Sequence, residues 1–129
     1  MKLDPDCIRA ILITVEENSG FRKATCILPG SDNFPLLSSY TYDEVAYHVR
    51  QCEWSNLIYD AHYYPGSTID IEDLTPAGHE FLANIRENKI WTEVKSIATH
   101  VGSESLSALT QIAATVVARL VKTHFGINF

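Results

Sequence analysis

The sequence is poor in the residue types that build most recognisable sites. Its 129 residues include three cysteines, six glycines and one methionine. Cys7, Cys26 and Cys52 are odd in number, widely spaced and form no C-x-x-C pair, which predicts buried free thiols acting as small hydrophobes. Zinc sites draw on closely spaced Cys or His pairs, and His48, His62, His79, His100 and His124 offer none, so no metal is expected. There is no glycine-rich phosphate loop, no G-x-S-x-G elbow and no H-E-x-x-H helix. Neither catalysis nor a cofactor is expected. His79-Glu80 reads as packing or capping at a helix start rather than as an acid–base pair.

Long apolar runs are missing too. None approaches the roughly 18 residues that cross a bilayer, so no membrane association is expected. The opening Met1-Lys2-Leu3-Asp4-Pro5-Asp6 turns acidic at once and has no signal-peptide core, which predicts a cytoplasmic protein. What is present is an ordinary globular composition, 46% hydrophobic and 20% charged, at the size of one domain.

Periodicity divides the chain. Ile8, Ile11, Leu12 and Val15 make one apolar stripe over 4–18, with Asp4 as cap, Pro5 in the first turn and Asn18-Ser19-Gly20 as stop. Thr25 to Leu28 is a short strand-like run. Pro29 to Ser39 is a loop by composition, with Phe34, Leu36 and Leu37 expected to pin it. Thr41 caps a helix over 42–54 whose inner face is Tyr42, Val45, Val49 and Cys52. Its outer stripe is Asp43, Tyr47, Arg50, Gln51 and Trp54. Strands over 57–64 and 68–74, joined by Pro65-Gly66-Ser67, form a hairpin. Thr75-Pro76 opens a third helix, 89–100 is a fourth, and a fifth runs from 104 to 125, ended by Gly126. The class is α+β. Helix, strand, helix, β-hairpin and helix make a winged-helix-like domain over 1–88, with two additional C-terminal helices, 89–129, packed on it as one structural unit.

The segment Tyr42-Asp43-Glu44-Val45-Ala46-Tyr47-His48-Val49, followed by Asn56-Leu57-Ile58, resembles the helix and junction that precede the wing in winged-helix proteins. Leu74-Thr75-Pro76-Ala77-Gly78-His79-Glu80-Phe81-Leu82, with Ile85-Arg86, Ile90-Trp91 and the Met-Lys-x-Asp start, resembles the YjcQ-type family of small proteins of unknown function. The likeness runs from Lys2 to about Leu109. It implies the fold and a phage or prophage setting, and carries no activity. One departure matters: helix-turn-helix readers brace the recognition helix with a preceding helix, and here Thr25 to Tyr40 fills that place with a strand and a proline-containing loop.

Charge then bears on the partner. Residues 39–75 hold seven carboxylates, Asp43, Glu44, Glu53, Asp60, Asp70, Glu72 and Asp73, against one base, Arg50, which equals the −6 of the whole chain. Duplex binding rests on cations that neutralise phosphates, so DNA is disfavoured on this face. Tyr42, Tyr59 and Trp54 read first as packing residues; Tyr47, Tyr63 and Tyr64 are the better contact candidates. The expected partner is a protein with a basic surface, met by Asp43, Tyr47, Arg50, Gln51, Trp54, Tyr63, Tyr64, Asp70, Glu72 and Asp73, in an inhibitor or regulator of a nucleic-acid-handling protein. The alternative is a DNA-binding regulator using Arg86, Lys89, Lys95, Arg119 and Lys122. On the last helix Leu106, Leu109, Ala113, Val116 and Leu120 make a broad apolar stripe, read as a homodimer interface.

Overall fold

The computed structural model describes residues 1–30 and 33–126. The first two helices begin where a short polar side chain caps them. In α1 (Pro5–Asn18) the Asp4 carboxylate accepts from the N–H groups of Asp6 and Cys7 at 2.9 and 3.4 Å. In α2 (Tyr42–Trp54) Thr41 and Glu44 form a reciprocal capping box, the Glu44 N–H donating to the Thr41 hydroxyl and the Thr41 N–H to the Glu44 carboxylate. Between β1 (Thr25–Ile27) and α2 the described residues include one 3₁₀ turn, Pro35–Leu37. Leu37 is buried there, whereas Leu36 is exposed and pins nothing. Ser31 and Asp32 of the expected loop lie outside the described residues.

The sheet is antiparallel in the order β1-β3-β2, with β2 (Ile58–Tyr63) and β3 (Ile69–Leu74) as the wing. Register places Thr25 beside Ile71, Ile27 beside Ile69, and Ala61 beside Ile71, which gives one core-facing side. Cys26, paired with Asp70, must then face solvent, because side chains alternate along a strand. Asp60 interrupts β2 with φ of 57°, a left-handed conformation. Ile58 before it is buried and Tyr59 is exposed. Tyr59 therefore does not pack as its composition suggested.

The chain divides into two compact units, Met1–His79 and Glu80–Phe129, a division that falls inside α3 (Pro76–Ile85) rather than after it. In the first unit α1 packs on α2, β3 and the 3₁₀ turn, and α2 packs on β2. Ile8, Ile11, Leu12, Val45, Val49 and Ile71 are fully buried there, and each contributes roughly 1.5–3 kcal/mol of transfer free energy. In the second unit α4 (Asn88–Val101) lies against α5 (Leu106–Phe125). Gly102, at φ of 76°, supplies the left-handed cap that ends α4. Among the described residues there are five α-helices and three paired strands: an α+β, winged-helix-like fold with additional C-terminal helices.

Leu106, Leu109, Ala113 and Val116 are buried within this single chain, and Leu120 is half-buried. The stripe read as a dimer interface thus lies largely on the buried side of α5, the helix that packs against α4. Among the described residues no helix is long and apolar enough to cross a membrane.

Candidate functional site

The residues singled out in the sequence fall on three surfaces of the first unit, the second and third of which share Gly20, Phe21 and Glu72. The first lies between α2 and the wing. Asp43, Tyr47, Arg50 and Trp54 follow a four-three-four spacing and so share one side of α2. The Arg50 guanidinium lies 5.9 Å from the Tyr47 ring centre and 5.1 Å from that of Trp54, a cation held between two aromatic rings. Trp54 is 70% exposed. Beside this row opens a groove of about 530 Å³, within the roughly 300–1,000 Å³ of small-ligand sites. Tyr42, Asp43, Tyr47 and Arg50 form its helix wall, Tyr63 and Pro65 its wing wall, and Ala46 and Met1 complete it. Gln51 is half-buried, and Tyr64 is exposed beside Pro65.

Glu53 sets the distance between the two walls. It stands in the last turn of α2, where a carboxylate gains nothing from the helix dipole. Its oxygens accept instead from the Ala61 N–H at 3.0 Å and the Tyr63 hydroxyl at 3.4 Å. The helix thereby satisfies a backbone donor of the edge strand. Burial, and after it the Glu53 carboxylate, pushes the Tyr63 hydroxyl above its ordinary pKa.

The second surface is the solvent side of the sheet. Asp60, His62, Asp70 and Glu72 line a cavity of about 400 Å³ together with Arg22 and Lys23. The two cations come from a tight turn in which the Gly20 N–H donates to the Lys23 carbonyl at 2.8 Å and the Lys23 N–H to the Gly20 carbonyl at 3.2 Å. His62 Nε2 is 3.2 Å from Asp60. The Cys26 thiol, exposed rather than buried as expected, is raised in pKa first by its hydrogen bond to Asp70. Cys7 and Cys52 are buried, and burial pushes Cys7 up to about 12. The third surface places Asp73 and Tyr59 beside Phe21, whose ring is fully exposed at the tip of the same turn.

The seven carboxylates thus do not form one continuous field. Glu44 and Glu53 are engaged in the capping box and the wing clamp, and Asp73 accepts from the Leu74 N–H at 2.7 Å. Phe21, Arg22 and Lys23 were not among the residues expected from the sequence; the Ser19-Gly20 pair before them is the only local turn signal. Among the described residues, no three His, Cys, Asp or Glu side chains stand as a metal-binding group. His79 lies 3.9 Å from Glu16, both partly open to solvent. Of the cations in the alternative reading, Arg86, Lys89, Lys95, Arg119 and Lys122 all belong to the second unit, where Lys95 lies 5.5 Å from the Trp91 ring centre.

A protein of Haemophilus influenzae described as "Uncharacterized protein" is 31% identical over 124 residues, covering 94% of this chain and 99% of its own. No solved structure matches the chain. The similarity is to proteins of unknown function, as the resemblance implied, although the YjcQ name is not the one that the comparison returns. Residues 2–104 match the family described as "Hypothetical protein (DUF2513)", and the chain belongs to that family.

Proposed function

We propose that the chain is a non-catalytic recognition module of the cytoplasm that docks a protein partner with a basic surface on α2 and the wing. The observation that carries this reading is the row Tyr47–Arg50–Trp54, a half-buried tyrosine followed by an exposed arginine and tryptophan, on the helix that stands in the recognition position of a winged helix. Tyr and Trp bury large areas with few rotatable bonds, which is why they anchor interfaces. Asp43 is the exposed carboxylate at the head of that row. The phage or prophage setting belongs to the same proposal, in which the aromatic row with Asp43 at its head occupies a basic nucleic-acid channel and regulates the protein that owns it.

The competing reading is a DNA-binding regulator. Arg22 and Lys23, beside the wing, are the observation in its favour. Two measurements separate them. A bacterial lysate passed over the wild type and over a Tyr47→Ala, Trp54→Ala double variant should yield a basic protein that only the wild type holds and that salt elutes. A shift of mixed-sequence duplex at low salt, lost on changing Arg22 and Lys23 to Glu, would overturn the proposal in favour of the regulator.

A further inference from the structure

The groove between α2 and the wing has a chemistry that narrows its occupant. Its walls are three tyrosines and a proline, Tyr42 and Tyr47 on α2 and Tyr63 and Pro65 on the wing, and Ala46, with only a methyl group, leaves the gap between them open. The charged groups sit on one wall, Asp43 towards the start of α2 and Arg50 one helical repeat further on. The row from Asp43 to Trp54 covers about 16 Å at the rise of an α-helix. A polyproline II strand covers that length with about five residues.

Deepening the proposed function, on which it rests, we propose that this groove takes an extended, proline-containing segment of the partner that carries a basic side chain. Three features converge on that class. Flat aromatic rings spaced along an open groove pack against pyrrolidine rings, which arrive already ordered and lose little entropy on docking. A proline-rich strand presents carbonyl acceptors without N–H donors, and the guanidinium of Arg50, fixed between Tyr47 and Trp54, is a donor with no acceptor of its own kind to seek. Asp43 is exposed at the opposite end and fits a lysine or arginine, in keeping with a basic partner.

The two neighbouring cavities lack this convergence. The one lined by Arg22, Lys23, Asp60, His62, Asp70 and Glu72 mixes both signs of charge and selects no single ligand.

The test uses the intact chain and three synthetic peptides: nonaproline ending in arginine, nonaproline ending in glutamate, and a glycine–serine peptide ending in arginine. Trp54 is the reporter, because it is exposed at the end of the row while Trp91 is buried. The expected result is a saturable fluorescence change with the proline–arginine peptide below millimolar concentration, and weaker binding of both others. Ala46→Trp, which fills the gap, should weaken binding about tenfold or more, the scale of a lost central contact. Asp43→Lys, at an exposed position, should invert the preference between the arginine and glutamate peptides. No saturable response in the wild type, or unchanged affinity and preference in both variants, overturns the inference. In that event the lysate comparison still decides the broader reading independently, since a folded basic surface held through Tyr47 and Trp54 needs no proline segment.

Discussion

Replacing Gly78 with alanine should unfold the first turn of α3, although alanine is ordinarily the better helix former. Leu57 is the reason. A Cβ at position 78 would overlap the Leu57 carbonyl oxygen and come within 3.0 Å of its carbonyl carbon. Both atoms are backbone, so no side chain can swing aside. The same place is tied down three times: the Thr75 N–H donates to the Leu57 carbonyl at 3.1 Å, the Thr75 hydroxyl to the Asn56 carbonyl at 2.5 Å, and the Gly78 N–H to the Thr75 hydroxyl at 3.0 Å. Moving α3 away to admit a methyl group gives up the cap, worth about 1 kcal/mol, and the Leu57 bond, about 1 kcal/mol more. Staying in place costs roughly 1–3 kcal/mol of overpacking. Against either stands the roughly 0.5–1 kcal/mol gained by removing a helical glycine. The net loss is about 1–1.5 kcal/mol, which lowers Tm by several degrees in a chain of this size. Urea unfolding followed by tryptophan fluorescence and far-ultraviolet circular dichroism measures it. Ala77→Gly, on the exposed side of the same turn, is the control and should cost only about 0.5–1 kcal/mol. A Gly78→Ala protein as stable as the wild type, or more so, would refute the close-approach argument.

Four further outcomes follow from buried polar contacts and raised pKa values. His48, which is 2% exposed, accepts at Nε2 from the Asp4 N–H and donates from Nδ1 to the Glu44 carbonyl, so His48→Leu should cost about 2–3 kcal/mol by orphaning both partners; urea unfolding with no loss would refute it. Glu53→Ala should free the Ala61 amide, raising its hydrogen-exchange rate about tenfold, and return the Tyr63 hydroxyl towards its ordinary pKa in an ultraviolet titration. Raised thiol pKa values make the folded state hold protons that the unfolded state releases, so stability from Cys7 is complete below its ordinary value, about 8.5, and is lost as pH climbs to about 12; Cys7→Ala should flatten alkaline unfolding over that window. Asp70→Asn should speed alkylation of Cys26 at mildly alkaline pH, since the hydrogen bond and charge that hold its thiol protonated come from Asp70.

Local chemistry made most of the elements legible. Asp4, Thr41 and Thr75 are short polar residues set before periodic apolar runs, and each caps the helix it announces. The alternation Ile69, Ile71 predicts which side of β3 is buried, because the strand period is two. The same rule places Cys26 outside, between buried Thr25 and Ile27; composition alone, which favours buried cysteines, pointed the other way. What could not be read were contacts between segments far apart in the chain. The Leu-Thr-x-x-Gly segment was distinctive as a pattern, but its reason lies in the Leu57 carbonyl. His48 and Asp4, separated by 44 positions, meet only in the folded chain.

Charge shows the same limit at the site. The stretch 39–75 carries six units of net negative charge whatever its shape, yet a ligand meets a surface and not a stretch of sequence. Folding removes Glu44 and Glu53 into hydrogen bonds and brings Arg22 and Lys23, from outside the stretch, to Asp60, Asp70 and Glu72. The electrostatic case against duplex DNA on α2 therefore rests less on abundant acid than on scarce base. A helix that follows a phosphate backbone needs several cations, since affinity grows with each counterion released. The exposed side of α2 offers Arg50 alone, and its guanidinium already lies between Tyr47 and Trp54. Adding acid elsewhere on the wing would change that balance little, whereas a second and third lysine along the Asp43–Trp54 row would change it at once.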